Sequence, residues 1–429
     1  MARLVEVRPV AAYLRALNPD LPRVVWLLQA GGLANAFGNG VVIPFLVIYL
    51  HNVRGFSLAV IGLIAASNAV AALFSGTVGG ALADRFGPRA TLAGALCIMA
   101  GAFSLFPLID EPWHAFALNM LAGLGSGAFW PSQSSLLARL APVQRRHAAF
   151  AQQRVTMNLG IGLGGLTGGF IANAEEATTF TTLFLLDAAT FLVFAALLTR
   201  IPSPARPARA GGPGSYARVL RNRPFRSFAL LNTLFIAVSI APFSEFLPVF
   251  AKNESAVSER SIGLIFFLNT ALIALAQVPI AKWQEGRRRM GALAIMGVLW
   301  AVSWLVVAAA GAWTTGTTAV AVITAGVLVF AVGECLHGAV QGPLVADLAD
   351  PALIGRYMAL SSLSWQVGFI VGPAVGGVVL DAEPLALWPL AAAVCLVGSA
   401  WALALERGLP QAVRRTPHPE AAIAVPEPG

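Results

Sequence analysis

The chain has 429 residues, of which 57% are hydrophobic and 11% are charged, and its formal net charge is +8. Soluble domains carry about 25% charged residues, so this composition excludes a soluble globular protein and predicts a chain solvated by lipid. The basic residues are spread along the chain instead of forming one basic domain. Nucleic acid is therefore excluded as the expected partner.

Twelve apolar runs predict twelve transmembrane helices and therefore an all-α membrane protein. The first run is too long for the hydrophobic part of a signal peptide, so it is predicted to be the first transmembrane helix. Six runs lie at 25–50, 58–83, 90–109, 114–138, 147–172 and 180–200. Six more lie at 227–250, 261–283, 290–310, 317–345, 355–380 and 385–405.

A polar interval from Pro202 to Arg226 separates the two sets of runs and is rich in Pro, Gly, Ala and Arg. This composition is typical of a flexible connector. We therefore expect a cytoplasmic N-terminal tail 1–24, an N-terminal six-helix bundle 25–200, a cytoplasmic connector 201–226, a C-terminal six-helix bundle 227–406 and a cytoplasmic C-terminal tail 407–429.

The positions of the basic residues predict the orientation of the chain. If the N-terminus is inside, all but four of the 28 basic residues fall in the tails, the connector and the inner loops. Arg54, Lys252 and Arg260 fall outside, and Arg154 falls within a helix. Basic residues favour the cytoplasmic side of a membrane, so both termini are predicted to be cytoplasmic.

The two halves of the chain repeat each other. Gln133 aligns with Gln341 and Gly164 with Gly372, so the fourth and fifth helices resemble the tenth and eleventh in register. Duplicated halves with a cavity between them at the membrane midplane are typical of secondary transporters. We therefore expect two pseudo-symmetric six-helix bundles.

The loop between the second and third helices carries Gly80, Asp84, Arg85, Gly87 and Arg89 in the order Gly-x3-Asp-Arg-x-Gly-x-Arg. This motif resembles the signature of the major facilitator superfamily. The resemblance implies the major facilitator fold, and it implies that these five residues form a conformational latch between helices 2 and 11 in the outward-facing state. Asp84, at the inner end of helix 2, would reach the N-terminus of a neighbouring helix, whose dipole attracts an anion. The alternative is an ordinary basic inner loop.

The fourth to sixth helices depart from the family pattern in two places. Asn119 stands where the family often has an arginine that assists proton transfer, so Arg154 is a candidate for the displaced cation and Asp187 for its counter-ion. A structural arginine–carboxylate pair is the alternative. The glycines of the fifth helix resemble the family's antiporter motif, but Gly165 replaces the usual proline. This difference weakens the argument for an antiporter.

Carboxylates within helices are costly to bury in a membrane and are therefore the main candidates for proton coupling. Glu334 lies deep in the tenth helix, and Glu245 lies between two prolines of the seventh. The context of Glu334 resembles the multidrug-resistance branch of the drug:proton antiporters. The proton-coupling candidates are thus Glu334, Asp187, Glu245 and Arg154, and a structural role is the alternative for each.

Polar and aromatic residues inside the helices are candidates for lining a substrate cavity, because such cavities combine apolar walls with a few polar groups. Ordinary packing between helices is the alternative for each of them. The candidates are Asn35, Asn39, Trp130, Gln133, Asn158, Phe243, Phe246, Asn269, His337, Gln341 and Trp365.

Motifs of other protein classes are absent from the sequence. It has no phosphate-binding Gly-x4-Gly-Lys motif and no metal-binding pair, so we expect neither an enzyme nor a bound cofactor. Cys97, Cys335 and Cys395 lie in apolar runs without metal-ligand spacing, which argues against disulfides.

These patterns together predict a secondary active transporter that exports amphipathic small molecules or drugs by proton-coupled alternating access. A proton symporter or facilitator for a nutrient such as a sugar or organic acid is the alternative. The expected partners are a small-molecule substrate, protons and membrane lipid, and the expected form is a monomer. Lysine occurs only twice against many arginines, which indicates a GC-rich bacterial genome and hence the bacterial cytoplasmic membrane.

Overall fold

A computed structural model of the chain describes residues 21–203, 216–350 and 353–417. A few side chains within these ranges, that of Asp84 among them, also lie outside the described part. Most of the predicted N-terminal tail, much of the connector and the end of the predicted C-terminal tail therefore fall outside it.

Twelve long helical segments make up most of the described chain. The N-terminal half contains α1 (Arg23–Ile48, continued by the π-helical turn Tyr49–Val53), α2 (Leu58–Phe86), α3 (Pro88–Leu105), α4 (Pro112–Leu140), α5 (Arg146–Ile171) and α6 (Ala177–Leu198). The C-terminal half contains α7 in four segments (Arg223–Phe235, the π-helical turn Ile236–Ile240, Ala241–Glu245 and Leu247–Ser255), α8 (Glu259–Gln284), α9 (Arg289–Trp313), α10 (Gly316–Leu348), α11 (Ile354–Ala382) and α12 (Leu387–Glu406).

Ten of the described helices are long and apolar enough to cross a membrane. The other two, α4 and α5, are 29 and 26 residues long but are rich in glycine, which adds length without adding hydropathy. No β-strand occurs in the described ranges, whose only backbone pairing of that kind is an isolated bridge between Arg288 and Arg415. The predicted all-α membrane fold is confirmed.

Each half forms a bundle with the same pattern of neighbours. In the N-terminal bundle α1 packs on α5 and α6, α2 on α4, and α3 on α4 and α6. In the C-terminal bundle α7 packs on α11 and α12, α8 on α10, and α9 on α10 and α12. The pattern repeats after six helices, so the bundles are related by a pseudo-twofold axis, as the internal repeat predicts.

Buried aromatic rings form the core of the C-terminal bundle. Trp300 and Trp304 each pack against Phe330 with ring centroids about 5 Å apart, and Trp304 also packs on Trp388. The Trp304 indole donates a hydrogen bond of 3.2 Å to the hydroxyl of Ser239, in the π-helical turn of α7. The bulk of these rings fixes how α7, α9, α10 and α12 sit against one another.

The largest contacts between the two bundles are along two helix pairs, α2 with α11 and α5 with α8, and smaller contacts join α1 to α7 and α8. We call the side of the molecule with the connector the connector face, and the opposite side, with the loops after α1, α5, α7 and α11, the distal face. In the distal half of the α2–α11 pair, Gly62 packs directly on Gly377 and on the Pro373 carbonyl. In the other pair, Gly263 of α8 packs on Gly165 and Gly169. Side chains are therefore absent from the contact, and the backbones touch.

The C-terminal tail is attached to the loop between α8 and α9. The Arg289 N–H donates to the Arg414 carbonyl at 2.9 Å, and the Thr416 N–H donates to the Arg287 carbonyl at 3.0 Å. Arg288 also makes two hydrogen bonds of 2.7 and 2.5 Å to the Glu406 carboxylate at the end of α12. These bonds raise the pKa of the Arg288 guanidinium.

Replacement of Gly164 should test the close packing of the helices. A Cβ at Gly164 would overlap the Phe37 carbonyl of α1, which is backbone and cannot move aside. We expect Gly164→Ala to destabilise the protein by about 1–3 kcal/mol, measured as a lower melting temperature of the protein in detergent. Gly101→Ala is the control, because a Cβ there would meet nothing within 4 Å. Equal melting temperatures for the two variants would contradict this packing.

Candidate functional site

A cavity of about 370 Å³ lies between the bundles. Its walls come from α1 to α4 and α6 on one side and from α7 and α11 on the other. Its polar lining residues are Asn35, Asn39, Asn68, Asn119, Ser126, Glu245 and Gln366. Its aromatic lining residues are Phe103, Phe129, Trp130, Phe191 and Phe369. The cavity thus combines a large apolar wall with several amides and one carboxyl group.

A second cavity of about 130 Å³ adjoins the first, because both are lined by Asn35, Asn39 and Trp130. Gln133 and Gln153 line the second cavity. Four of the residues predicted to line a cavity, Asn35, Asn39, Trp130 and Gln133, therefore do so in the structure.

Glu245 is the one acidic residue that lines the main cavity, and it lies at a break in α7. Pro242 and Pro248 supply no backbone N–H, so the helix cannot continue regularly on either side of Glu245. The π-helical turn Ile236–Ile240 precedes this break. The Glu245 carboxyl is half-buried and, among the described residues, makes no hydrogen bond or ion pair. It is therefore available to a ligand in the cavity.

Glu334 lies outside the lining of the main cavity, within the C-terminal bundle. It is half-buried, and the side-chain amide of Asn269 on α8 donates a hydrogen bond of 3.1 Å to its carboxyl group. Asn269, predicted to line a cavity, is therefore the partner of Glu334 instead. One turn along α10, Gly338 lies beside Arg154, which reaches across from α5.

Arg154 belongs to the N-terminal bundle, but its guanidinium contacts the C-terminal bundle. A Cβ at Gly338 would stand 3.2 Å from its Nη2 atom and 3.1 Å from the amide of Gln277. The side chain is exposed and forms no ion pair within the described ranges, so the suggested pair with Asp187 is absent. Arg154 thus contacts α10 one helical turn along from Glu334, and no hydrogen bond or ion pair joins the two side chains.

Asp187 is fully buried behind α1. Its Oδ1 atom accepts a hydrogen bond of 3.3 Å from the hydroxyl of Thr190, and its Oδ2 atom has no protein partner. Gly38 of α1 lies against Asp187 and Thr190, and only a residue without a Cβ fits there. Asp187 lines neither of the cavities described above.

His337 belongs to a hydrogen-bonded chain that joins α7, α10 and α11. Its Nε2 atom lies 2.7 Å from the amide oxygen of Asn232, whose own NH2 group donates to Ser364 at 2.7 Å. The amide oxygen therefore accepts a hydrogen bond from the N–H group at His337 Nε2. Gln341 donates to the hydroxyl of Ser361 at 2.8 Å, one turn away. His337 and Gln341 thus line neither of the two cavities described above, because their polar atoms bind α7 and α11.

The remaining predicted cavity residues lie elsewhere. Phe243 is stacked between Phe266 and Phe330 with centroids 4.8 Å apart, and Phe246 is completely buried, so both belong to the core of the C-terminal bundle. Trp365 packs on His337 with ring centroids 5.7 Å apart. Asn158 is half-buried on α5 and lines neither cavity.

Sequence reasoning missed Asn68, which lines the main cavity and donates a hydrogen bond of 3.0 Å to the backbone carbonyl of Asn119. Asn119 in turn donates to the Ile64 carbonyl at 2.7 Å, so it joins α2 to α4. Asn232 was also missed. Both asparagines lie within apolar runs, and that position is the signal that could have identified them.

The signature loop turns at Gly87, whose φ of +90° is in the region that favours glycine. Arg89 donates a hydrogen bond of 2.7 Å to the Ile201 carbonyl beyond the end of α6. Arg85 is exposed and lies over the ring of Phe86. Gly80 lies within α2, and the side chain of Asp84 is outside the described part, so the latch contact stays a prediction.

Comparisons with known proteins agree with this architecture. The family model described as Major Facilitator Superfamily matches residues 29–258 and 234–427. The uncharacterized MFS-type transporter YqjV of Bacillus subtilis is 23% identical over 387 residues, covering 88% of this chain and 92% of the relative. The multidrug resistance protein MdtH of Yersinia enterocolitica is 27% identical over 359 residues, covering 83% and 86%.

Solved structures show the same fold. The inward-open xylose transporter XylE of E. coli matches with a TM-score of 0.70 at 14% identity, covering 89% of this chain and 95% of that one. A POT family transporter in complex with a thioalcohol-conjugated peptide matches with a TM-score of 0.75 at 16% identity, covering 90% and 96%.

Removal of Asn232 should test the chain of hydrogen bonds around His337. Asn232→Ala leaves the buried His337 and Ser364 without this partner, which we expect to cost about 1–3 kcal/mol of stability. The melting temperature in detergent should therefore fall. Thr182→Ala is the control, because Thr182 is exposed and bonds only within its own helix. A melting temperature for Asn232→Ala equal to that of this control would show that the chain does not stabilise the bundle.

Proposed function

Because the chain belongs to the major facilitator superfamily, a family of transporters, we propose that it exports amphipathic small molecules or drugs in exchange for protons. The two bundles rock about the central cavity, which opens alternately to the two faces of the membrane. The multidrug resistance protein MdtH among the relatives supports this substrate class.

The composition of the main cavity carries the proposal. Phe103, Phe129 and Trp130 offer apolar and aromatic surface to the greasy part of a ligand. Asn35 and Asn39 offer amides, and the Glu245 carboxyl offers a negative or hydrogen-bonding group at the opposite wall. An amphipathic molecule needs this combination of surfaces, because its polar group must be satisfied when it leaves water.

Proton coupling is assigned first to Glu334. A buried carboxylate is costly in a membrane, and Glu334 has the neutral amide of Asn269 as its partner instead of a cation. Arg154 belongs to the opposite bundle and lies beside Gly338, which is one helical turn from Glu334 along α10. Rocking of the bundles therefore changes the distance between Arg154 and Glu334. The approach of the guanidinium would favour the ionised carboxylate and release the proton. Glu245 and Asp187 are the other candidates.

The positive-inside pattern supports a location in the bacterial cytoplasmic membrane with both termini in the cytoplasm. In that orientation the connector face is cytoplasmic and the distal face is external. The contacts between the bundles in the distal half then correspond to a transporter that is closed to the outside. A monomer surrounded by lipid suffices for this mechanism.

Nutrient uptake is the second candidate function. The xylose transporter XylE and the nucleoside transporter NupG share this fold. The amides of Asn35, Asn39, Asn68 and Gln366 would suit a hydroxyl-rich substrate. The aromatic wall of the cavity favours the export of amphipathic molecules over this alternative.

Glu334→Gln should abolish proton-driven accumulation of a fluorescent substrate in inverted vesicles. Glutamine keeps the shape and the hydrogen bonding to Asn269 but cannot exchange a proton. We expect gradient-driven accumulation to be lost, because a group essential to coupling no longer titrates, while exchange without a gradient continues. Dye quenching in vesicles with an imposed pH gradient measures both.

Glu245→Gln is the matched control, because Glu245 also lies in the membrane but lines the cavity. We expect it to weaken substrate binding while a pH gradient still drives the residual transport. Wild-type accumulation by Glu334→Gln would show that this carboxyl does not couple protons. If the pH gradient instead drives sugars out of the inverted vesicles and no dye is transported, the nutrient transporter is favoured.

A further inference from the structure

The distal end of the α2–α11 contact contains a carboxylate bound to a helix N-terminus. The Oδ1 atom of Asp381, at the end of α11, accepts a hydrogen bond of 2.9 Å from the backbone N–H of Leu58, at the start of α2. First-turn N–H groups have no partner within their own helix, and they form the positive end of its dipole. Asp381 therefore joins the C-terminal bundle to the N-terminal one by a charge-assisted bond.

Two further polar contacts cross between the bundles at the same face. The carboxylate of Glu259, at the start of α8, accepts bonds from the Ala174 N–H at 3.0 Å and from Lys252 at 2.7 Å. The side chain of Asn52 donates to that of Asn253 at 2.8 Å. Both helix pairs that join the bundles thus carry a carboxylate contact at the distal face, outside the glycine contacts.

The helices α2 and α11 are antiparallel neighbours of equal length, 29 residues each. Leu58 opposes Asp381, and Gly62 opposes Gly377, so the residue numbers change in opposite directions. Extending this register places Asp84, near the end of α2, opposite Gly355, in the first turn of α11. In this register Asp381, near the end of α11, lies opposite the start of α2. The position of Asp84, near the end of α2, comes opposite the start of α11 at the other face of the membrane.

We propose that Asp381 is the distal counterpart of Asp84, so that two reciprocal aspartate contacts hold alternate states of the transporter. Asp381 on the N-terminus of α2 stabilises the state closed at the distal face. Asp84 on the N-terminus of α11 stabilises the state closed at the connector face. Rocking of the bundles separates one end of the α2–α11 pair as it closes the other, so the two contacts are not made together.

This proposal rests on the alternating access proposed above, but its test needs neither a substrate nor a proton gradient. Cys97, Cys335 and Cys395 are replaced by alanine, and Asn39→Cys places one thiol in the cavity. A membrane-impermeant maleimide is applied to the distal face of intact cells and to the connector face of inverted vesicles. The ratio of the two labelling rates reports which face is open.

Asp381→Ala should raise the distal-to-connector ratio by about fivefold, the effect of losing a carboxylate at a helix N-terminus. Asp84→Ala should change the ratio in the opposite direction. Asp381→Asn keeps an acceptor without the charge and should give a smaller rise, and it carries the test if the alanine variant does not fold. Asp110→Ala is the control, because Asp110 is an exposed carboxylate whose partner, Arg54, lies in its own bundle.

A ratio unchanged by both Asp381 variants would overturn the proposal, as would a shift of equal size in Asp110→Ala. A shift of the same sign in Asp381→Ala and Asp84→Ala would overturn the reciprocal arrangement. If the ratios shift as expected but the dye is not transported, the proposed export function fails and the assignment of the two aspartates stands.

Discussion

The arrangement of the bundles depends on backbone contacts that only glycine permits. In lipid, helices gain nothing by hiding apolar side chains from water, so their association relies on close packing and polar bonds. Gly62 with Gly377, and Gly263 with Gly165 and Gly169, bring opposing helices together across the bundle interface. Because no side chain interlocks there, one bundle can tilt on the other without a change of rotamer.

The two bundles differ in packing and in their contribution to the cavity. The C-terminal bundle is held by stacked tryptophans and by hydrogen bonds from His337 through Asn232 to Ser364, which make it a firm unit. Most of the cavity wall belongs to the N-terminal bundle and combines aliphatic side chains with small amides and aromatic rings. The break of α7 joins the two, because its π-helical turn packs in the aromatic core while Glu245 faces the cavity.

The fold was predictable because lipid imposes a simple pattern of long apolar runs. The signature motif and the internal repeat can also be read directly from the order of residues. Side-chain direction was not predictable, since the helices are apolar on almost every face and give no periodic signal. Phe243 and Phe246 lie on either side of the break in α7. The sequence pattern does not indicate how the helix segments are rotated at this break, and both rings point into the core. His337 lies one turn from Glu334, yet a single asparagine on α7 binds it inside the bundle.

The C-terminal tail has a consequence for how this protein can be observed. Residues 414–416 run along the loop between α8 and α9 and are bonded to it through the main chain. A fluorophore fused directly after this segment would move together with the C-terminal bundle as one rigid body. Energy transfer from such a label to one on the α2–α3 loop would report the angle between the bundles. The distance between the labels would not be averaged by a flexible terminal linker.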